Sequence, residues 1–396
     1  MSEAIEGYRL SPLQKRHWLA WAGRGPPLVR AVVEIEGAVD RADLGRALEV
    51  LVSRRDSLRF HFVRQAGLRV PLQALGGASR LEWSLAALGE GRHRLDLSAP
   101  VLCADRRSLA VVVGELAALL AGTELEEPTS YLAFSEWALE SATMRAAPVP
   151  IRLPFERPLE RERVEPSELP AIDVPGAWRE FAREALVPFD TLSLGLWAVL
   201  LARQTGSPAA TVGEVVEGRP FPELQSAVGL FAHSREVAVD CDGRRDVAGF
   251  LGDVERSRRE ARDRAPVEVT PDEAGTPIHF ESRAPLDPIE SNGLRFTFRR
   301  LEAELEPARL GLVVSGAGEL SIRFDAAALE PAYVESLGGQ LLALGRGLRP
   351  GARLGDLDPL SDRERRRLVV ETNRPGPGRA RGRLAHELFE ASAAEA

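Results

Sequence analysis

The apolar positions of this chain repeat with two different periods, which together predict alternating helices and strands. The clearest helix is at 108–120, where the apolar residues recur at three- and four-residue steps on one face. A β-branched run at 28–35 predicts a strand. By the same criteria, helices are predicted near 12–21, 41–51, 128–140, 177–185, 190–204, 246–264 and 331–347, and strands near 58–62, 80–85, 92–97, 211–216, 236–239, 277–281, 294–299, 310–315 and 319–324.

The predicted elements form two similar sets on either side of a proline-rich stretch. Residues 145–175 contain seven prolines, which predicts a crossing segment rather than a helix or a strand. We therefore expect an α/β protein of two lobes, each a mixed sheet covered by helices, with an N-terminal lobe at 1–160 and a C-terminal lobe at 161–360. Residues 361–396 include the basic stretch RPGPGRARGR and are expected to form a linker.

Composition excludes several classes of function. The formal net charge is −8, which argues against nucleic-acid binding. Lys15 is the single lysine beside 50 arginines, so lysine-based catalysis is nearly excluded. Two cysteines form neither a disulfide framework nor a zinc cluster, and they favour a reducing cytoplasm and no metal. The acidic N-terminus is unlike a signal peptide, and no stretch predicts a membrane span.

Several short motifs occur in the same order as in one known family. Together they span residues 8–390, and the chain resembles a condensation domain of a non-ribosomal peptide synthetase. The motifs are RLSPLQKRHW at 9–18, RRDSLRFHF at 54–62, YLAFSEW at 131–137, VGEVVEGRP at 212–220, VGLFAHS at 228–234, SIRFD at 321–325, and LSD with LAHELFE at 360–362 and 384–390.

The resemblance implies a fold and a set of partners. It implies two chloramphenicol-acetyltransferase-like lobes that form a V-shaped pseudo-dimer, with peptidyl carrier domains approaching a tunnel between the lobes from two sides. It implies no cofactor of the domain's own beyond the phosphopantetheine arms of those carriers. The end of the chain resembles the linker into a downstream adenylation domain of the same chain, and Met1 lies so near the first motif that we expect any upstream donor on another polypeptide.

The catalytic motif of the family is degenerate in this chain. The family has H-H-x-x-x-D-G before a helix that begins W/R-S-L, and Arg107-Ser108-Leu109 fixes the register. The two histidine positions are then Pro100 and Val101, and the glycine position is Arg106. Valine has no group that exchanges or orients a proton, and proline also lacks its backbone N–H. A long cation at Arg106 is expected to plug the tunnel.

Asp105 is the one polar member of the motif that this chain retains. The resemblance implies a structural salt bridge between Asp105 and an arginine of the opposite lobe, for which Arg219 is the candidate. His233 occupies the asparagine position of the VGLFAHS motif, and it is a candidate for an assisting base. Cys103 follows the apolar Leu102, which favours a small buried side chain over a nucleophile.

These features predict a condensation-like domain that does not form peptide bonds in the standard way. We expect it to act as a scaffold or recruitment platform for carrier and adenylation domains, or for a tailoring oxygenase such as a cytochrome P450. One alternative is an active amide-forming acyltransferase that relies on proximity. Another is a cyclising enzyme, which uses D-x-x-x-x-D-x-x-S; Asp105 and Ser108 match its second half, but Pro100 stands at the first aspartate. A stand-alone acyltransferase on coenzyme A is a third.

Overall fold

The structure is a computed structural model of the 396-residue chain. It describes residues 7–21, 27–144, 151–157, 165–264, 268–269, 277–305 and 307–371, with single positions at 386, 390 and 393. The predicted linker at 374–383 and the amphipathic piece after it therefore lie almost wholly outside the described residues.

Helices and strands alternate along both halves of the chain. The first half contains β1 (Gly7–Tyr8), α1 (Pro12–Ala20), β2 (Leu28–Glu36), α2 (Arg41–Arg54), β3 (Phe60–Val63), β4 (Leu72–Leu75), β5 (Glu82–Gly89), β6 (Arg92–Pro100), α3 (Arg106–Leu120), α4 (Tyr131–Ser141) and β7 (Thr143–Met144). The second half contains β8 (Pro166–Glu168), α5 (Gly176–Glu184), α6 (Phe189–Thr205), β9 (Ala209–Val216), β10 (His233–Asp240), α7 (Val247–Asp263), β11 (Glu268–Val269), β12 (Ile278–Ser282), β13 (Ile289–Ser291), β14 (Leu294–Glu302), β15 (Leu310–Val314), β16 (Leu320–Asp325), α8 (Pro331–Arg346) and α9 (Asp362–Arg366).

The first lobe is built on a five-stranded antiparallel sheet in the order β13-β14-β2-β6-β5. Its two strands β13 and β14 come from the second half of the sequence, and β14 pairs directly with the central strand β2. Helices α2 and α3 pack together against this sheet and enclose its apolar core. The division predicted at residue 160 remains a prediction, but this sheet draws on residues from both sides of it.

The second lobe is built on a six-stranded mixed sheet in the order β10-β9-β12-β15-β16-β8. Strands β9, β12 and β15 are parallel, while β10, β16 and β8 run antiparallel to their neighbours. Strand β8 lies inside the proline-rich stretch, so the prediction that 145–175 contains no strand is wrong there. It pairs with β16 at the sheet edge, where a proline costs no ladder hydrogen bond.

Side-chain caps fix where the main helices begin. Ser11 and Gln14 form a capping box at the start of α1, where Pro12 is the first helical residue. The carboxylate of Asp40 accepts hydrogen bonds from the amides of Ala42 and Asp43. Asp105 caps α3 in the same way, and this cap lies at the centre of the candidate site.

Helix α6 is the most deeply buried helix of the second lobe. Its residues from Thr191 to Ala202 are all buried in the core between the sheet and helices α7 and α8. Among the described residues no single helix is long and apolar enough to cross a membrane. Helices α5 and α6 together have the length and composition of a membrane span, but they meet at an angle of 104°.

Candidate functional site

The segment from Pro100 to Arg106, which the sequence register aligns with the family's catalytic motif, leads from the end of β6 through a buried turn into α3. Pro100 is the last residue of β6 and pairs with Leu28 of β2. The turn from Val101 to Ala104 is fully buried and packs in the apolar core of the first lobe. Val101, which the sequence register aligns with the family's second histidine, is thus an apolar side chain with no proton donor or acceptor.

Asp105 and Arg219 are brought together in a buried bidentate ion pair. The guanidinium donates from Nη1 to Oδ2 and from Nη2 to Oδ1 of Asp105, both at 2.9 Å. The side chains of Asp105 and Arg219 are 0% and 1% exposed, respectively. The forked geometry is the strong form of a charge-assisted hydrogen bond. The pair joins the start of α3 in the first lobe to the loop after β9 in the second.

Asp105 accepts four further hydrogen bonds. They come from the backbone amide and hydroxyl of Ser108, at 2.8 and 2.7 Å, and from the backbone amides of Phe231 and Ala232, both at 3.0 Å. Burial raises the pKa of Asp105. The charge and hydrogen bonds of Arg219, together with the hydrogen bonds of Ser108, lower this pKa by more than burial raises it. The net pKa lies below the ordinary value, so this carboxylate is ionised and fully engaged.

Two glycines allow the facing loops to approach each other closely. Gly218 has φ = +66°, and a Cβ there would lie 2.0 Å from the carbonyl oxygen of Phe231. A Cβ at Gly229 would lie 1.9 Å from Cδ2 of Tyr131. The phenol of Tyr131 donates to the carbonyl of Leu230 at 2.9 Å, so the ring is held against this loop. The loop from Gly229 to Ala232 is thereby fixed over the cap of α3.

Arg106, the residue at the family's glycine position, lines a cavity between the two lobes. The cavity has a volume of about 600 Å³ and is lined by residues from strands of both sheets. The Nε of Arg106 donates to the carbonyl of Leu301 in β14 at 3.3 Å. Burial lowers the pKa of Arg106, although Glu281 and Glu217 oppose this effect. The side chain thus forms part of the cavity wall.

His233 is buried, and both of its ring nitrogens form hydrogen bonds. The Nε of Arg235 donates to Nε2 of His233 at 3.1 Å. Because a guanidinium nitrogen is never an acceptor, Nε2 must accept, and the proton lies on Nδ1, which donates to the carbonyl of Phe231 at 2.8 Å. The lone pair that a general base needs is therefore already used.

Cys103 is fully buried in the turn from Val101 to Ala104, where it packs in the apolar core. Burial raises its pKa to about 12, and burial likewise raises the pKa of Cys241 to about 12. A thiol is nucleophilic only as thiolate, and at pH 8 only about one in ten thousand is ionised at such a pKa. Neither cysteine is thus prepared for covalent catalysis.

We predict that iodoacetamide at pH 8 leaves Cys103 and Cys241 unmodified in the folded protein over a time that fully modifies the unfolded protein. Intact-mass measurement with and without urea checks this expectation. Rapid single modification of the folded chain, mapped to Cys103 by peptide mass, would contradict it.

Ser108 and Tyr131 take part in the site, although the sequence singles out Ser108 only through the cyclising motif and Tyr131 only as part of YLAFSEW. The Ser108 hydroxyl lies 3.0 Å from Nη2 of Arg219, and it also accepts from the amide of Gly229 at 3.0 Å. In the cyclising relatives a serine stands at this position, but here it is a buried member of the Asp105 cap. Within the described residues no group of three histidine, cysteine or carboxylate side chains is placed to hold a metal ion.

Comparison with known proteins finds relatives among large synthetases, while no protein-family model matches the chain. Chondramide synthase cmdD of Chondromyces crocatus is 24% identical over 472 aligned residues, covering 97% of this chain and 12% of that protein. Tyrocidine synthase 2 of Brevibacillus parabrevis is 25% identical over 314 residues, covering 65% of this chain and 9% of that protein. The chain therefore spans a small fraction of the length of these relatives.

Solved structures share the fold over nearly the whole chain. The X-domain from teicoplanin biosynthesis has a TM-score of 0.72 at 18% identity, covering 91% of this chain and 99% of that one. The same kind of domain in complex with OxyB has a TM-score of 0.70 at 19% identity, with 91% and 98% covered. The condensation domain from the Monacolin K polyketide synthase MokA has a TM-score of 0.71 at 15% identity, with 88% and 99% covered. At these identities the likeness concerns the fold alone.

Proposed function

We propose that this chain, which is similar in sequence to large peptide synthetases and shares the fold of a condensation domain, is a condensation-like domain that has lost peptide-bond formation and acts as a recruitment or scaffolding domain. The observation that carries this proposal is the buried Val101 at the second histidine position. No proton acceptor or donor stands there to orient an attacking amine.

The remaining polar groups of the motif support the same proposal. Asp105 is ionised and fully hydrogen-bonded, and its role is to hold the loop of the second lobe. His233 already uses its basic nitrogen to accept from Arg235. Arg106 occupies the cavity wall beside them. These arrangements keep the contact between the lobes without supplying an acid or a base.

The partners that we propose are the carrier and adenylation domains of a synthetase and a tailoring oxygenase such as a cytochrome P450. An X-domain of similar fold forms a complex with OxyB in teicoplanin biosynthesis, which makes an oxygenase the first partner to test. In this proposal the phosphopantetheine arms belong to the carriers, and the domain itself holds no cofactor.

We predict no amide product above the uncatalysed background when the chain is given aminoacylated donor and acceptor carrier proteins. An active condensation domain given the same carriers is the positive control, and product is measured by mass spectrometry after release from the carrier. Turnover at a rate like that of the control would overturn the proposal.

The amide-forming alternative makes a different prediction for the His233→Ala variant. If amide were formed with help from His233, this variant would lose most of the product while still folded, as circular dichroism would show. Under our proposal, neither protein gives product above background, and both bind the same carrier-loaded oxygenase complex with equal affinity in a calorimetric titration.

A further inference from the structure

The cavity between the two lobes has the size and walls of a site for a small molecule. Its volume of about 600 Å³ lies in the range of ordinary ligand pockets. Part of its wall is apolar, contributed mainly by β2, β9 and β15 and by the segment after β14: Leu28, Val215, Val216, Leu305, Leu312 and Val313. Such a wall suits the hydrocarbon part of an organic ligand.

Most carboxylates of the cavity wall are already neutralised by arginines of the same lobe or strand. Glu281 accepts two hydrogen bonds from Arg283, at 2.8 and 2.9 Å. Glu168 accepts from Nε of Arg323 at 3.2 Å. Glu302 lies 3.2 Å from Nε of Arg300. A cationic ligand would therefore have to displace an existing arginine from each of these carboxylates.

Three arginines of the wall form no close ion pair of this kind. Arg30, Arg106 and Arg107 have no carboxylate in ion-pair contact among the residues that the structure describes, although Glu281 and Glu217 attract Arg106 at longer range. The Nε atom of Arg107 is buried, and in the described part of the chain no acceptor reaches it. Among the wall carboxylates, Glu217 likewise forms no ion pair there, whereas Glu304 has an interaction of its own. The wall as a whole holds four arginines and five glutamates, but three of the arginines and only one of the glutamates are left without an ion pair or other interaction of this kind.

These guanidinium groups without a close ion pair decide the sign of the charge on the ligand. Removing a cation from water without a partner is costly, and an anion with two oxygen atoms would satisfy both the charge and the donors. Burial lowers the pKa of Arg106, yet an arginine side chain remains charged at neutral pH. We infer that the cavity binds a small organic anion, whose carboxylate or phosphate group is held by Arg106 and Arg107 while its apolar part lies on the aliphatic wall.

This inference goes beyond the proposed function and does not depend on it. It gives the position of the lost glycine a role of its own, because Arg106 would contact the ligand. If Arg106 served only to fill space, the cavity would show no preference for an anion. Binding and amide formation are measured separately, so the failure of either proposal leaves the other standing.

The test is isothermal titration of the full chain with three probes in a low-salt chloride-containing buffer at pH 7. They are 4-phenylbutyrate, its neutral analogue 4-phenylbutanamide, and inorganic phosphate. We expect 4-phenylbutyrate to bind saturably and at least ten-fold more tightly than the amide. Competition between phosphate and 4-phenylbutyrate would show that both bind at one site. Their relative affinities would then show whether the site prefers a carboxylate or a phosphate group.

Variants locate the site. We expect R106Q and R107Q each to weaken anion binding at least ten-fold and R106K to retain more of it than R106Q. The matched control is R346Q, an exposed arginine at the end of α8, which should bind like the parent chain. A thermal midpoint close to that of the parent chain shows that each variant is folded. Absence of saturable binding of 4-phenylbutyrate, equal binding of acid and amide, or unchanged binding by folded R106Q and R107Q would overturn the inference.

Discussion

Replacing Arg219 by methionine is expected to lower the free energy of unfolding by about 3–5 kcal/mol, because it leaves the carboxylate of Asp105 buried without its counterion. Methionine fills a similar volume but donates no hydrogen bond. Urea unfolding followed by circular dichroism measures the change. The matched control is Asp43→Asn, which breaks an exposed ion pair with Arg46 on α2 and should cost less than about 1 kcal/mol.

The double variant Asp105→Asn with Arg219→Met separates lost attraction from an unpaired buried charge, because asparagine is neutral and still offers an oxygen to the buried amides. Because both charges are removed, we expect it to recover part of the stability that Arg219→Met loses. If the free energy of unfolding of Arg219→Met lies within about 1 kcal/mol of that of the parent chain, the ion pair does not stabilise the contact between the lobes.

The pH dependence of this contribution follows from the lowered pKa of Asp105. An aspartate with a depressed folded-state pKa stabilises the protein fully above its unfolded pKa of about 3.9. The contribution falls as the pH drops from that value through the folded-state pKa. The stability difference between the parent chain and the double variant should therefore shift in favour of the double variant below about pH 4.

Replacing Gly229 by alanine is expected to destabilise the protein by about 3 kcal/mol, at the upper end of the usual cost of overpacking. The new Cβ would lie 1.9 Å from Cδ2 and 2.5 Å from Cε2 of Tyr131. The ring cannot simply withdraw, since it is fully buried and its hydroxyl bonds to Leu230. The loop must then move, and the carbonyl of Gly229 would lose its hydrogen bond from the amide of Asp105.

Gly339→Ala is the control for this substitution. Gly339 is exposed in the middle of α8, and a Cβ there meets nothing within 4 Å. Alanine is the better helix former by up to about 1 kcal/mol, so this variant should be slightly more stable than the parent chain. Thermal and urea unfolding of both variants measure the two changes in stability, which we expect to have opposite signs. Equal stability of Gly229→Ala and the parent chain would show that the loop does not need this close approach.

Local sequence signals predict most of the elements that carry the site. The periodic apolar residues of α3 place its buried face correctly, and Ser11 with Pro12 and Asp40 mark the starts of α1 and α2. Strands β4, β8 and β13 escape such prediction, since each has only three or four residues and β8 begins with a proline. Such short strands are set by the neighbour they pair with rather than by their own residues.

The contacts of the site are harder to predict than its residues. Asp105 and Arg219 can be paired through the family resemblance, but the amides of Phe231 and Ala232 depend on a loop that crosses from the other lobe. The role of Arg106 also depends on tertiary structure. Its lack of a close ion pair becomes visible only once the carboxylates of the cavity wall are seen paired with other arginines. Sequence spacing carries no signal for which of many arginines will be left without one.

The pairing of β14 with β2 ties the two lobes together during synthesis as well as in the finished fold. Strand β14 begins about 260 residues after β2 ends, which takes roughly 15–50 s at ~5–20 residues per second on the ribosome. For that time one edge of β2 has no native partner, and an open edge is a template for pairing with another chain. The first lobe therefore completes its sheet only when most of the second lobe has been made, and the two lobes cannot fold one after the other as independent units.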